Sequence, residues 1–203
     1  MDYLGFYWTL PVNWAGFTSL PKDAEEAAKA SRTIRYQVER VRRWVKDNKG
    51  NLLREVVFMD VRPDRGTKAI QSEIGKLLTE AGKISAGLVL VDFTQAFGWR
   101  PHGPLFDMIL QKDNCVLLPP EPMLLEGKLW DPVEHFRAWR EVDFAHRSAK
   151  QQAKDTVLAA MTDLKVDGAS YANIAQELNG MGVKTVNGRP WTADNVRKFM
   201  AQA

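Results

Sequence analysis

The stretch GLVLVDF, residues 87–93, runs without a charge until Asp92 and shows no alternation of apolar and polar positions. A strand with one wet face alternates; an unbroken apolar run bounded by turn residues suits a strand covered on both faces, as in a parallel sheet. Working outward, LLREVVFMDV (52–61) reads as another strand and KAIQSEIGKLLTEAG (68–82) as the amphipathic helix between the two. Downstream, WRPHGP (99–104) turns the chain into a short helix, LFDMILQ (105–111), before a further strand, CVLLP (115–119). Upstream, GFYWT (5–9) reads as a buried strand that Pro11 and NWAGFTSLP (13–21) break. Ser19 or Asp23 is placed to cap the next helix, which runs from Asp23 to about Lys49 with Ile34, Val38, Val41 and Val45 on its inner face. Strand and helix alternate, so the expectation is an α/β domain with a parallel sheet of about four strands.

Composition sets the outer bounds. The chain has 203 residues, enough for one domain or two, and 45% of them are hydrophobic. No apolar run reaches the roughly 18 residues of a membrane span, so no membrane is expected as a partner. MDYLGFYWTLPVNW at the start has no basic flank of a secretory signal, which points to a cytoplasmic protein. The single cysteine, Cys115, lies in the apolar stretch CVLLPP and suits a small core residue better than a nucleophile or ligand. No His/Cys spacing suggests a metal site, and neither G-x-x-x-x-G-K-[ST] nor G-x-G-x-x-G is present to cradle a phosphate, so no cofactor is expected. A net charge of +3 and a pI near 9.0 permit a nucleic-acid partner without requiring one.

After PPEP (119–122), one long helix is expected to start at Asp131 with Pro132 in its first turn. Phe136, Trp139, Val142 and Phe144 are too apolar for a solvated rod; packing on its own domain and a dimer seam both fit that spacing. The remaining segment, DGASYANIAQELNGMGVKTVNGRPWTADNVRKFM (167–200), reads as two short helices. Ser170 suits an N-cap, Ile174, Ala175 and Leu178 form an inner face, and Gly180 and Gly182 end the first helix. Asn187-Gly188 signals a tight turn, Trp191 an apolar anchor, and Thr192 the cap of a last helix with Val196, Phe199 and Met200 inward. Lys184, Arg189, Thr192, Asn195, Arg197 and Lys198 then supply the polar and basic chemistry that a helix in a DNA major groove uses. Helical pairs of this kind also serve as plain packing units.

From Gly168 to Val196 the order G-x-S-x-x-x-I-A-x-x-L-N-x-x-G-V-x-T-x-x-G-x-x-W-T-x-x-x-V closely resembles the DNA-binding segment after the catalytic domain of serine recombinases of the resolvase/invertase superfamily, particularly the larger members. The resemblance extends backward as a general plan: SRTIRYQVERVRRWVKDNKGNLL (31–53) is similar to the first long helix and second strand, with Gln37 where a glutamine is common. Asp60 stands where the family has an acidic residue, and GLVLVDF where it has its third core strand. The resemblance implies a resolvase-like domain over 1–130, a connecting and dimerisation helix over 131–164, and a helix-turn-helix domain over 165–203. It also implies double-stranded DNA as partner and a homodimer or larger homo-oligomer at the nucleoid.

In that family a serine at the end of the first strand attacks a DNA phosphodiester, surrounded by arginines that stabilise the charge on phosphorus. In the matching register Trp8 stands for the arginine two residues earlier and Leu10 for the serine. The D-R-L-x-R motif after the third strand corresponds to DFTQAFGWR, with Gln95 and Gly98 at the arginine positions and Arg100 out of register. The loop VRPDRG (61–66) departs from the family pattern but stays cationic through Arg62, Arg65 and Lys68. No catalytic residue is therefore assigned. The expected function is sequence-specific DNA binding by an inactive recombinase fold, regulating transcription or recombination; the alternatives are an active recombinase using a displaced nucleophile such as Ser19, and a protein-interaction module. Ser19 itself fits a turn or cap role better.

Other candidates are weaker. Arg32, Arg35, Arg43 and Lys46 form a helical stripe, favoured as a solvated face over a phosphate contact, and Trp44 beside it reads as core. His102, His135 and His146 are scattered, and Asp60, Asp64 and Asp92 follow strands where a hydrolase could hold Mg²⁺.

Overall fold

A computed structural model describes residues 1–60, 68–93, 103–185 and 187–202, with the side chains of 103–106 outside the description. The chain divides into two compact units, Met1–Arg137 and Ala138–Ala203.

Unit 1 is the expected α/β arrangement. Four parallel strands, β1 (Asp2–Thr9), β2 (Asn51–Met59), β3 (Gly87–Val91) and β4 (Cys115–Leu118), lie in the order β2-β1-β3-β4. The chain moves from β1 to one side and then crosses back to β3 on the other. Right-handed crossovers then require the connections to lie on opposite faces. Accordingly α1 (Ala24–Ala30) and α2 (Arg32–Asp47) cover one face, and α3 (Lys68–Lys83) covers the other together with Ile109 of α4 (Gly103–Leu110). Alternate strand residues serve the two cores: Tyr3, Tyr7, Val89 and Val91 face α1 and α2, while Leu4, Phe6, Leu88 and Leu90 face α3. All five residues of β3 are buried, as its unbroken apolar run requires. Cys115 is half-buried against the second core, and desolvation pushes its thiol up to about 12.

Two features depart from the sequence reading. The single helix expected from Asp23 breaks at Ser31, whose extended backbone (φ −141°, ψ 120°) ends α1 and starts α2. Its N–H donates to the Ala27 carbonyl at 2.9 Å while its Oγ accepts from Ile34 N at 3.3 Å, so one residue caps both helices. A serine that bonds its neighbours' backbone competes with helix continuation. Asp23 is the cap of α1, accepting from Glu25 N and Glu26 N.

The second departure is an antiparallel hairpin, β5 (Met123–Leu125) and β6 (Lys128–Trp130), where only a breaker is legible. Glu126 (φ 50°) and Gly127 (φ 77°) form its two-residue turn, the positive-φ pair that matches strand twist. Met123, Leu125 and Trp130 pack into the core, leaving Leu124 and Leu129 exposed. Tyr36 anchors the hairpin: its ring lies 4.5 Å from Trp130 and its hydroxyl donates to the Glu121 carbonyl at 2.8 Å.

The long helix, α5 (Pro132–Val166), begins in unit 1 and continues into unit 2. Asp131 Oδ1 accepts from Val133 N at 2.8 Å, satisfying a first-turn donor. Phe136 packs on Phe93 in the unit 1 core, whereas Val142 and Phe144 are exposed. In unit 2 Met161 of α5 joins α6 (Tyr171–Gly180) and α7 (Ala193–Met200) around a third core of Ile174, Ala175, Leu178, Trp191 and Val196. No helix among the described residues is long and apolar enough to cross a membrane.

Candidate nucleic-acid interface

The helical pair of unit 2 is held by caps that its sequence announces. Ser170 Oγ accepts from Asn173 N at 3.2 Å at the start of α6. Gly182 (φ 72°) carries the chain out of it. Thr185 N donates to the Arg189 carbonyl at 2.9 Å, closing a loop in which Gly188 (φ 73°) takes the left-handed position that a side chain resists. Asn179 then clips the loop to α6: its Oδ1 accepts from Trp191 N at 2.8 Å and its Nδ2 donates to Trp191 O at 2.9 Å. Asn179 stands in the quoted motif, but periodicity gives no sign of this role, because its partner is 12 residues away.

Thr192 caps α7 in a reciprocal box: its Oγ1 accepts from Asn195 N at 3.3 Å and its N–H donates to Asn195 Oδ1 at 2.6 Å. The Asn195 side-chain oxygen therefore serves the helix start, with one of its two lone pairs used in the cap. Arg197 and Lys198 leave α7 on its exposed side, where Asp194 pairs with both, at 3.1 Å and 2.7 Å. The Lys198 ammonium, then the Arg197 guanidinium, hold the Asp194 carboxyl below the usual carboxylate range. Exposed ion pairs of this kind are screened by solvent and contribute little, so an anion can take over either cation at little cost.

The structure brings Thr192, Asn195, Arg197 and Lys198 together on α7. Arg189 lies in the tight turn, and Lys184 lines a separate concavity with residues of α5, among them His146. That α5 contribution is missed by a reading confined to 167–200.

Residues 152–202 match the family model described as Recombinase. The match is confined to this carboxy-terminal segment, which is similar to that family. Through it the chain is related to the serine recombinases, and the recombinase segment takes in the end of α5 as well as α6 and α7. No curated protein and no solved structure matches the chain significantly.

In unit 1, the end of β1 is built for packing. Leu10 is buried, and Gln37, fully buried, grips the backbone two residues earlier: its Oε1 accepts from Trp8 N at 3.0 Å and its Nε2 donates to Trp8 O at 2.8 Å. Asp60, also buried, donates its backbone N–H to Thr9 O at 2.9 Å. Ser19 is exposed in an irregular segment. Arg62, Asp64, Arg65, Gln95, Gly98, Arg100 and His102 lie outside the described residues. Among the described residues, no three His, Cys, Asp or Glu side chains gather where a metal ion could be held.

The basic residues of α2 are partly consumed by structure. Arg35 pairs with Glu126 of the hairpin turn, Arg40 with Glu121 at 2.7 Å, and Arg42 with Glu55 at 2.7 Å and with Glu25. Arg32, Arg43 and Lys46 remain exposed. Trp44 meets Tyr3 edge-on at 5.3 Å, as a core residue does. His135 stacks against Trp130 and Phe136, and burial, then the Arg32 charge, lower its pKa from the ordinary 6.5.

Proposed function

We propose that the protein is a sequence-specific double-stranded-DNA-binding protein on a serine-recombinase plan, acting without strand cleavage as a regulator of transcription or recombination at the nucleoid. The observation that carries the reading is the recombinase segment at 152–202. It supports a domain over 165–203 in which α7 meets DNA, with Arg189, Arg197 and Lys198 contacting phosphates, Lys184 extending the cationic surface, and Thr192 and Asn195 setting the helix start. Loss of cleavage is supported by Trp8 and Leu10 at the end of β1, since neither an indole nor an alkyl chain can attack or neutralise a phosphate. In this proposal 1–130 is a resolvase-like scaffold and 131–164 the dimerisation helix. The exposed Val142 and Phe144 support a self-associating surface there.

Selection of bound duplexes from a random pool tests the reading: a preferred site should bind about 10³-fold or more tighter than unrelated DNA at fixed salt. Uniform affinity for all duplexes would overturn it. Denaturing electrophoresis with labelled DNA tests the chemistry, and a covalent protein–DNA adduct that disappears in Ser19→Ala would establish an active recombinase instead. Sedimentation of Val142→Lys tests the seam, where a shift from dimer to monomer is expected.

A further inference from the structure

Within unit 2 the α5 face that continues into the third core opens, one turn earlier, onto a concavity of about 410 Å³. Its apolar lining is Ala149, Ala153 and Val157 of α5 with Trp191 and Phe199. The spacing of the α5 residues, 149, 153 and 157, keeps them on one stripe. Trp191 is nearly fully buried, yet its indole N–H has no acceptor among the described residues. Around this lining stand Lys150, Lys154 and Lys184. Elsewhere in the unit Arg147 is matched by Asp143 and both Arg197 and Lys198 by Asp194, whereas these three lysines form no ion pair among the described residues. Lys154 instead lies 5.6 Å from the centre of the Phe199 ring.

We propose that this groove docks an acidic amphipathic segment of a partner protein, its apolar side chains against Trp191 and Phe199 and its carboxylates on the three lysines. The volume falls in the roughly 300–1,000 Å³ range of binding pockets, and a stripe of small residues between aromatic walls is how a groove receives an amphipathic helix. A DNA duplex offers the charge but not the apolar face: its phosphates stand on a polar ridge and leave the aromatic lining wet. Position separates the two functions as well. Phe199 faces the groove, and Arg197, two residues earlier, leaves α7 about 160° away around the helix axis. The groove is thus a second surface, which shares Lys184 with the DNA reading but not the face of α7 that carries Arg197.

The test is fluorescence anisotropy of the full chain with a fluorescein-labelled synthetic peptide of Glu, Leu and Ala in helical amphipathic order. Saturable binding is expected, lost when the Leu residues are replaced by Ser. Lys150→Glu with Lys154→Glu should weaken it about tenfold or more by charge, and Ala153→Trp should do the same by filling the exposed stripe, a difference of about 1.4 kcal/mol or more. Absence of binding by the Glu/Leu/Ala peptide, or equal binding by both variants, overturns the proposal. So does a duplex that competes the peptide away and itself loses the same factor in Ala153→Trp, which would give the groove to DNA. Arg197→Ala should leave peptide binding unchanged while weakening DNA, so that failure of one reading is visible apart from the other.

Discussion

In the sheet unit Arg35, Arg40 and Arg42 reach carboxylates on other elements, whereas in the helical unit Arg147, Arg197 and Lys198 reach only Asp143 and Asp194 on their own helices. The first set ties α2 to the hairpin and to β2, and Tyr7 joins it by donating to Glu55 Oε1 at 2.7 Å. Burial, then the Glu55 charge, raise the Tyr7 pKa and keep the phenol a donor. The second set closes no tertiary contact and can be broken without loosening a core. Charge is thus divided between tertiary ties in one unit and pairs local to a helix in the other.

The sharpest way to break that division is Trp191→Ala. Removing a buried aromatic costs about 3–5 kcal/mol, enough to unfold a small helical unit and abolish DNA binding. Thermal unfolding followed by circular dichroism should show the sheet unit's transition unmoved; a shift in both transitions would mean that the units share one stability. Next in size is Gln37→Leu, which removes the amide bonded to the Trp8 N–H and C=O and should cost about 1–3 kcal/mol in urea unfolding. DNA affinity should stay as it is, because Gln37 lies in unit 1, outside the recombinase segment.

Arg197→Ala combined with Lys198→Ala acts in the opposite sense. Melting should change little, while the slope of log K against log salt should fall by up to about 1.8 in magnitude if each cation covers one phosphate. An unchanged slope would move the DNA surface off α7. The smallest expected effect concerns His135. Its folded pKa is lowered, so the stabilisation is complete above the ordinary value of 6.5 and is lost as pH falls from there toward the folded pKa, where the unfolded imidazole binds a proton first. His135→Gln should flatten that acidic limb of the sheet unit's stability curve, measured by urea titration across pH.

Much of this organisation is readable before folding. GLVLVDF announces a strand buried on both faces, and Ser170, Gly188 and Thr192 mark cap, turn and cap in the tail where the structure has them. What the sequence does not show follows a pattern. The hairpin strands are three residues each, too short for periodicity to register, and the break at Ser31 sits in a helical pattern that otherwise continues. Asn195 is legible as a polar residue on a helix, but not as one that also bonds the backbone of the cap.

The sequence by itself determined what depends on near neighbours: which segments are helix or strand, where several of them start, and that the tail carries the recombinase pattern. Caps, turns and amphipathic faces are set within about four residues of chain, so they can be read along it. Only the tertiary structure decided which charges are consumed and which remain. Arg40 meets Glu121 and Arg35 meets Glu126 across most of unit 1, and Ala153 of α5 shares a groove with Trp191 and Phe199 of the last helical pair. Those encounters depend on how buried surfaces fit together, and their partners lie too far apart in the chain for any local pattern to record them.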